Sequence, residues 1–265
     1  MTVNNLKLPS LPEVANIWQQ TLHWTPTVQQ QVQFQQLYEF ILEGNRQLNL
    51  TRITDPQEFW EKHLWDSLRG IAPFLRDQGD HGDGGDEDVT SASALPTSLS
   101  FIDIGTGAGF PGIPVAIAVA DSTVTLLDST QKKIKFLETI SAALDLTNVK
   151  TLTGRAEEVG QQPQHRQTYD VALIRAVGTA SVCAEYALPL LKQGGLAVIY
   201  RGNWTQEETQ ALENAVTQLG GVIESIEKFT TPLSDSIRHC LYLRKVATTP
   251  VQFPRPVGVP TQRPL

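Results

Sequence analysis

Phe101-Ile102-Asp103-Ile104-Gly105-Thr106-Gly107-Ala108-Gly109-Phe110 is the stretch on which the reading of this chain turns. A short apolar run carrying one acid leads into three glycines at alternate positions. Pro111-Gly112-Ile113-Pro114 then opens the apolar stretch Val115 to Ala120. That order reads as a strand, a glycine-rich turn and a helix N-terminus. Glycines leave the backbone bare for close approach, and the free N–H groups of a helix start favour acceptor atoms, so the turn suits a nucleotide-like ligand.

The glycine spacing fits two frames. Gly107-x-Gly109-x-x-Gly112 matches a dinucleotide fingerprint, whereas Asp103-x-Gly105-x-Gly107-x-Gly109 resembles motif I of class I S-adenosylmethionine (SAM) methyltransferases. Register separates them. In a dinucleotide fold the first glycine closely follows the strand; here Gly105 does so, and the frame that begins there has Phe110 at its last place. A glycine turn alone is a weak signal, and the residues downstream have to decide between the two frames.

The 265 residues hold one large domain or a domain with a smaller lobe, and 40% hydrophobic with 18% charged residues fits a globular enzyme. No run approaches the roughly 20 apolar residues of a membrane span. The first ten residues carry one lysine and no apolar core, so no secretory signal is expected. Cys183 and Cys240 match no metal or redox spacing, and the expected compartment is the reducing cytoplasm, with no metal. A formal charge of −7 argues against a nucleic-acid partner at first sight. Six of those negatives, Asp77, Asp80, Asp83, Asp86, Glu87 and Asp88, fall in one short segment, and four basic residues without an acid follow from Arg244 onward. Net charge does not decide the partner.

Four regions are expected. Residues 1–76 form an N-terminal helical region, with Pro9 to Leu75 helical and Asp55-Pro56 a helix start. Residues 77–98, rich in Gly, Asp and Ser, read as a mobile acidic linker. Residues 99–246 alternate strands (Leu99–Ile104, Thr123–Asp128, Val149–Thr153, Tyr169–Arg175, Gly195–Arg201, Val222–Phe229, Arg238–Arg244) with helices (Pro111–Ala120, Thr130–Leu144, Thr179–Leu191, Thr205–Leu219). Alternation implies an α/β fold with a mostly parallel sheet. Seven strands, the last two with no helix between them, is the methyltransferase arrangement; a dinucleotide domain usually has six and another helix. The tail, 247–265, is proline-rich and expected to run extended over the surface.

Candidate ligand contacts lie at strand ends. Asp128, nineteen residues beyond Gly109, can accept both hydroxyls of a ribose or serve as a helix cap, and the two roles can coexist. Ser129 and Thr130 would line the nucleoside with backbone amides. Ala156 and Glu157 suit the apolar face and exocyclic amine of an adenine. Phe110 would sit beside the methionine portion. Arg175, ending the fourth strand, offers a fixed cation for a ligand carboxylate or phosphate, or for a local ion pair. No Asn/Asp-Pro-Pro-aromatic motif follows that strand, and neither cysteine has the setting of a cytosine-C5 nucleophile. An acceptor atom with its own lone pair remains.

Together these residues resemble the bacterial small-subunit (16S) ribosomal RNA guanine-N(7) methyltransferase family, RsmG or GidB. The matching runs are Asn49-Leu50-Thr51, Lys62 to Leu68, Asp103 to Pro114, Leu127-Asp128-Ser129, Gly154 to Glu158, Ile174-Arg175-Ala176, Arg238-His239 and Phe253-Pro254-Arg255-x-x-Gly258-x-Pro260. Family members often have Ser-Arg-Ala at 174–176 and Lys-Gly at 201–202. The resemblance implies a class I, Rossmann-like fold with an N-terminal helical extension, and methyl transfer from SAM to N(7) of a guanine in the 530 loop of 16S rRNA. It implies 16S rRNA or the small-subunit particle as partner; a monomeric enzyme is expected, with Arg175, from its place at the end of the fourth strand, as the catalytic residue, and Asp103, Gly105, Gly107, Phe110, Asp128, Ser129, Thr130, Ala156, Glu157 and Arg175 at the cofactor. Arg52, His63, Arg201, Arg238 and Arg255 are the candidate RNA contacts. A SAM-dependent enzyme for protein or small-molecule substrates and a nicotinamide-dependent dehydrogenase or non-catalytic nucleotide-binding module are the competing readings.

Overall fold

The computed structural model describes residues 9–75 and 98–265; apart from Ser98, the acidic linker expected at 77–98 lies outside the described residues. One seven-stranded sheet organises the rest: β1 (Ser100–Ile104), β2 (Thr123–Asp128), β3 (Val149–Thr153), β4 (Tyr169–Arg175), β5 (Leu191–Arg201), β6 (Gly221–Thr230) and β7 (Ile237–Lys245). Their order is β3-β2-β1-β4-β5-β7-β6, with β1 to β5 parallel. β7 runs antiparallel between β5 and β6. The final two strands without a crossover helix give the class I methyltransferase architecture. β2, β3 and β4 have the expected bounds; β5 starts four residues earlier than expected, at Leu191, where pairing with β4 shifts register between Tyr169 and Val171.

Strand alternation divides the core in two. Phe101, Val171, Leu173, Val198 and Tyr200 face one side, while Ile102, Ile104, Ala172, Ile174, Ala197 and Ile199 face the other. Side chains of successive strand residues point to opposite faces, and a parallel sheet must bury both. α8 (Ala180–Ala187) and α9 (Gln206–Gln218) cover the second face; α5 (Gly112–Ala118) and α6 (Gln131–Ala143) lie on the first. The N-terminal helices join them there: α1 (Ala15–Leu22), α2 (Val28–Leu48), α3 (Pro56–Phe59) and α4 (Asp66–Arg69). Buried Trp18, Trp24, Phe34, Phe59, Trp60 and Trp65, from these helices and the segments joining them, belong to the same apolar cluster as β1 and β5, so this region builds part of the main core.

Local chemistry fixes the helix starts. Thr27 and Gln30 form a reciprocal capping box on α2, and Thr205 with Glu208 does so on α9. Asp55 accepts from the amides of Gln57 and Glu58 ahead of α3. Between α3 and α4 the chain widens into a π-helical turn, Trp60–Trp65, which periodicity alone does not announce.

The tail departs from expectation. It is packed rather than loosely extended, closing with the short α10 (Val259–Gln262), and Phe253 is buried in the second core. Arg166 donates to the carbonyls of Gly160, Thr249, Pro250 and Phe253, and Gln161 to those of Val251 and Pro254. Proline-rich chain lacks partners of its own; side chains from the connection between α7 (Ala156–Val159) and β4 supply them.

Candidate active site

Two adjoining cavities open at the carboxyl ends of the parallel strands, where ligands of open α/β sheets bind. The larger, about 710 Å³, is walled by Gly105 to Ala108 and Phe110 after β1, Asp128 after β2, Arg175 and Ala176 at the end of β4, and Tyr200 to Gly202 at the end of β5. Leu50, Ile53, Lys62, His63 and Asp66 close it from the N-terminal helices. The smaller, about 160 Å³, shares Gly105 and Asp128 and adds Ser129, Gly154 to Glu157, Val177, Tyr186 and Thr261.

The glycine turn is held from below and from the side. Asp103 Oδ2 accepts from Thr106 Oγ1 at 2.6 Å and from the Gly112 amide at 2.8 Å. Its Oδ1 is buried with no partner among the described residues, and burial raises the carboxyl pKa to about 6. Asp103 is fully buried and lines neither cavity, which corrects its expected place at the cofactor: it shapes the turn. Gly107 donates to Asp128 Oδ2 at 3.0 Å with φ +60°, and a Cβ added there would meet only the Gly105 carbonyl, 3.8 Å away. Gly105 has φ +72°, and an added Cβ would come within 2.7 Å of Val177.

Asp128 stands between the start of α6 and the two cavities, although the N-cap of that helix is Thr130 and has no side-chain cap bond. Oδ1 accepts from the Thr130 amide at 2.8 Å, fixing the approach to α6, while the carboxylate borders both cavities. Thr130 thus has its amide engaged and lines neither cavity, correcting its expected contact; Ser129 does line the smaller one. Ala156 and Glu157 lie there as well, but Glu157 Oε1 already accepts from Tyr186 and from the Gly258 amide.

Arg175 lines the large cavity with its charge partly engaged inside the chain. Nη1 donates to the Lys62 carbonyl at 2.9 Å and to Asp66 Oδ2 at 3.0 Å. The carboxylate it holds is therefore Asp66, the local ion pair foreseen as its other role. Burial holds the Asp66 carboxyl pKa above its ordinary value, against the opposing pull of the guanidinium. Nothing in the sequence announced Asp66, because 109 residues separate it from Arg175.

Arg175 Nη2 also stands 3.5 Å from His63 Nδ1, and a guanidinium can only donate. That makes Nδ1 the acceptor and gives Nε2 the proton, which it donates to Thr51 Oγ1 at 2.8 Å. Burial, Arg175 and Lys62 lower the His63 pKa to about 3, so the ring is neutral near pH 7. It stacks on Phe110 with ring centres 4.3 Å apart and planes 9° apart. His63 is thus a cavity wall rather than a surface contact.

The remaining cations divide. Arg201 and Arg238 line the large cavity along with Lys62 and Lys133. Arg52 is exposed and beyond its wall, between Leu50 and Ile53, which belong to it. Arg255 is removed from the RNA set: its guanidinium makes a two-pronged ion pair with Glu185, which is 0% exposed. Ala176, at φ +57°, is a strained non-glycine position on the wall, a conformation that its place in the Ile174-Arg175-Ala176 run did not announce.

The residues fit a SAM-sized ligand. The turn leaves open space above Gly107, Asp128 borders both compartments, and the smaller cavity has apolar walls from Ile104, Leu127, Ala156 and Val177.

Comparison with known proteins places the chain. A family model described as GidB, rRNA small subunit methyltransferase G, matches residues 30–85 and 87–240. The chain belongs to the GidB family. Among the relatives of this GidB chain, a protein from Nostoc punctiforme named ribosomal RNA small subunit methyltransferase G is 72% identical over 96% of the chain and 98% of that protein. One of the same name from Trichodesmium erythraeum is 54% identical over 100% of the chain and 98% of that protein. The chain is accordingly an enzyme, a methyltransferase with SAM as its cofactor, as the resemblance implied. No described helix is long and apolar enough to cross a membrane.

Proposed function

We propose that this GidB chain methylates N(7) of a guanine in the 530 loop of 16S rRNA, in the cytoplasm, on the RNA or on the small-subunit particle. The observation that carries the reading is the joining of two unlike compartments at the glycine turn. One is small, with Ile104, Leu127, Ala156 and Val177 set beside the carboxylates of Asp128 and Glu157; the other is wide and bordered by Lys62, Lys133, Arg175, Arg201 and Arg238. The cationic rim suits a phosphate backbone, which supplies sequence-independent attraction, and it offsets locally a chain whose formal charge is −7.

When bound, SAM supplies an electrophilic methyl group on its sulfonium. A guanine N(7) already carries an in-plane lone pair and loses no proton, so the chain needs no general base there. The site agrees with that demand. His63 is neutral, holds its proton toward Thr51 and presents only an acceptor nitrogen to Arg175. The Phe110–His63 stack beside the guanidinium of Arg175 gives a flat, polarisable wall of the kind on which unstacked bases are held. Arg175, fixed by Asp66 and the Lys62 carbonyl, acts by orientation and electrostatics.

The experiment is mapping of 7-methylguanosine in rRNA from cells with and without this chain, together with transfer of labelled methyl to purified 16S rRNA and to small-subunit particles. Loss of one 7-methylguanosine in the 530 loop is expected in cells lacking the chain. Unchanged modification, or label appearing in protein, would discard the RNA reading.

A further inference from the structure

Glu157 does not stand alone in the smaller cavity. Its Oε1 accepts from the hydroxyl of Tyr186 on α8 at 3.0 Å and from the amide of Gly258 in the tail at 3.1 Å. Oε2 accepts from no described residue and is not sealed from solvent. Two donors on one oxygen fix the plane of a carboxylate and leave the other oxygen as its open acceptor. The tail that supplies Gly258 also puts Thr261 on the cavity wall. That tail is fastened from outside the cavity by the Arg255–Glu185 pair, with the Arg255 amide donating to the same carboxylate. Pro254 packs so closely on Gly160 that a Cβ there would come within 2.7 Å of it. The anchoring is stronger than a surface strand of proline-rich chain requires.

We propose that Tyr186 and the Gly258–Thr261 turn are positioning residues that hold Glu157 with one oxygen facing the small cavity, so that the C-terminal segment sets the preference for a 6-amino purine. The proposal rests on the reading that this cavity takes the adenosine portion of the cofactor. A carboxylate oxygen with no other donor accepts from an exocyclic amine. Facing a 6-oxo purine it meets a second acceptor, and a site built to pair a donor rejects the analogue that lacks it.

The test is calorimetric binding of S-adenosylhomocysteine and S-inosylhomocysteine to the full chain. The unaltered protein should favour the adenosyl form. Tyr186→Phe should narrow that preference about tenfold and raise KM for SAM, with kcat at saturating SAM within twofold. Arg255→Gln combined with Glu185→Gln removes both charges of the anchor together, touches no cavity wall, and should narrow the preference in the same direction. Far-UV dichroism reports the fold of each. If both folded variants keep the original preference, the proposal is overturned. If Ala156→Leu, which fills the small cavity, leaves S-adenosylhomocysteine affinity untouched, the cavity reading itself fails and the proposal with it.

Discussion

Asp103 braces the glycine turn from beneath without lining either cavity. Its Oδ2 ties together the two limbs of the glycine turn, and its Oδ1 accepts from no described group. Burial favours the neutral acid, with a pKa of about 6 against an ordinary 3.8. The folded state then holds a proton that the unfolded chain releases, so this group's contribution to stability is full below about pH 3.8 and is lost as pH rises through about 6. Asp103→Asn should therefore gain on the parent as pH rises from 4 to 7, by on the order of 3 kcal/mol at most; thermal unfolding of both proteins across that range measures it. His63 runs the other way, its depressed pKa withdrawing stability as pH falls below about 6.5. Arg175 is the residue whose loss should cost turnover. Arg175→Ala should lower methyl transfer about a hundredfold or more without adding an inflection to the neutral pH–rate profile. Arg175→Lys should recover little, because an ammonium has no second nitrogen to face His63 Nδ1 while the first holds Asp66 and the Lys62 carbonyl, and it lacks the planar guanidinium beside Phe110. Single-turnover transfer to 16S rRNA at several pH values is the measurement, and near-normal rates would make the residue purely structural.

Among the elements, the turn after β1 and the π-helical turn at Trp60–Trp65 meet across the cavity. Wider winding brings Lys62, His63 and Asp66 to the end of β4, where Arg175 stands. Glu61 on the same turn accepts from the amides of Leu233 and Ser234, pinning the β6–β7 connection that leads to Arg238. The glycine turn is the less forgiving of the two. Gly105→Val would put a β-branched side chain at φ +72° and against Val177. SAM binding should be lost to calorimetry while far-UV dichroism stays native. Retained affinity would mean that the cofactor does not lie over this turn.

Taken whole, the molecule is a negatively charged chain that presents a cationic cavity. RNA binding should weaken steeply with salt, because each phosphate neutralised releases counterions. Arg238, whose guanidinium donates only to the Ile237 carbonyl among the described residues, can act outward. Arg238→Ala should lower the slope of log affinity against log salt by about 0.7–0.9, with SAM affinity unchanged. Filter binding of an rRNA fragment at several salt concentrations gives that slope. Arg255→Ala should leave the slope alone and lower stability instead, since it orphans Glu185 in the core.

Strand periodicity, glycine placement and strand-end acids are local signals, so the sheet, its final strand pair and the glycine turn were legible in the order of residues. Asp128, Gly107 and the Ala156–Glu157 turn were legible for a related reason: in a parallel sheet every strand end arrives at the same edge. Who partners whom was not legible there, and emerged with the folded chain. Asp66 with Arg175, Glu185 with Arg255 and Glu157 with Gly258 are each joined across 70 to 109 residues. An ion pair leaves no period or spacing in the chain; it exists only once folding has brought two charges out of water together. Asp103 and Thr130 lie off both cavity walls for the same reason. Their polar atoms are claimed by groups close in space, and burial decides which claim is met.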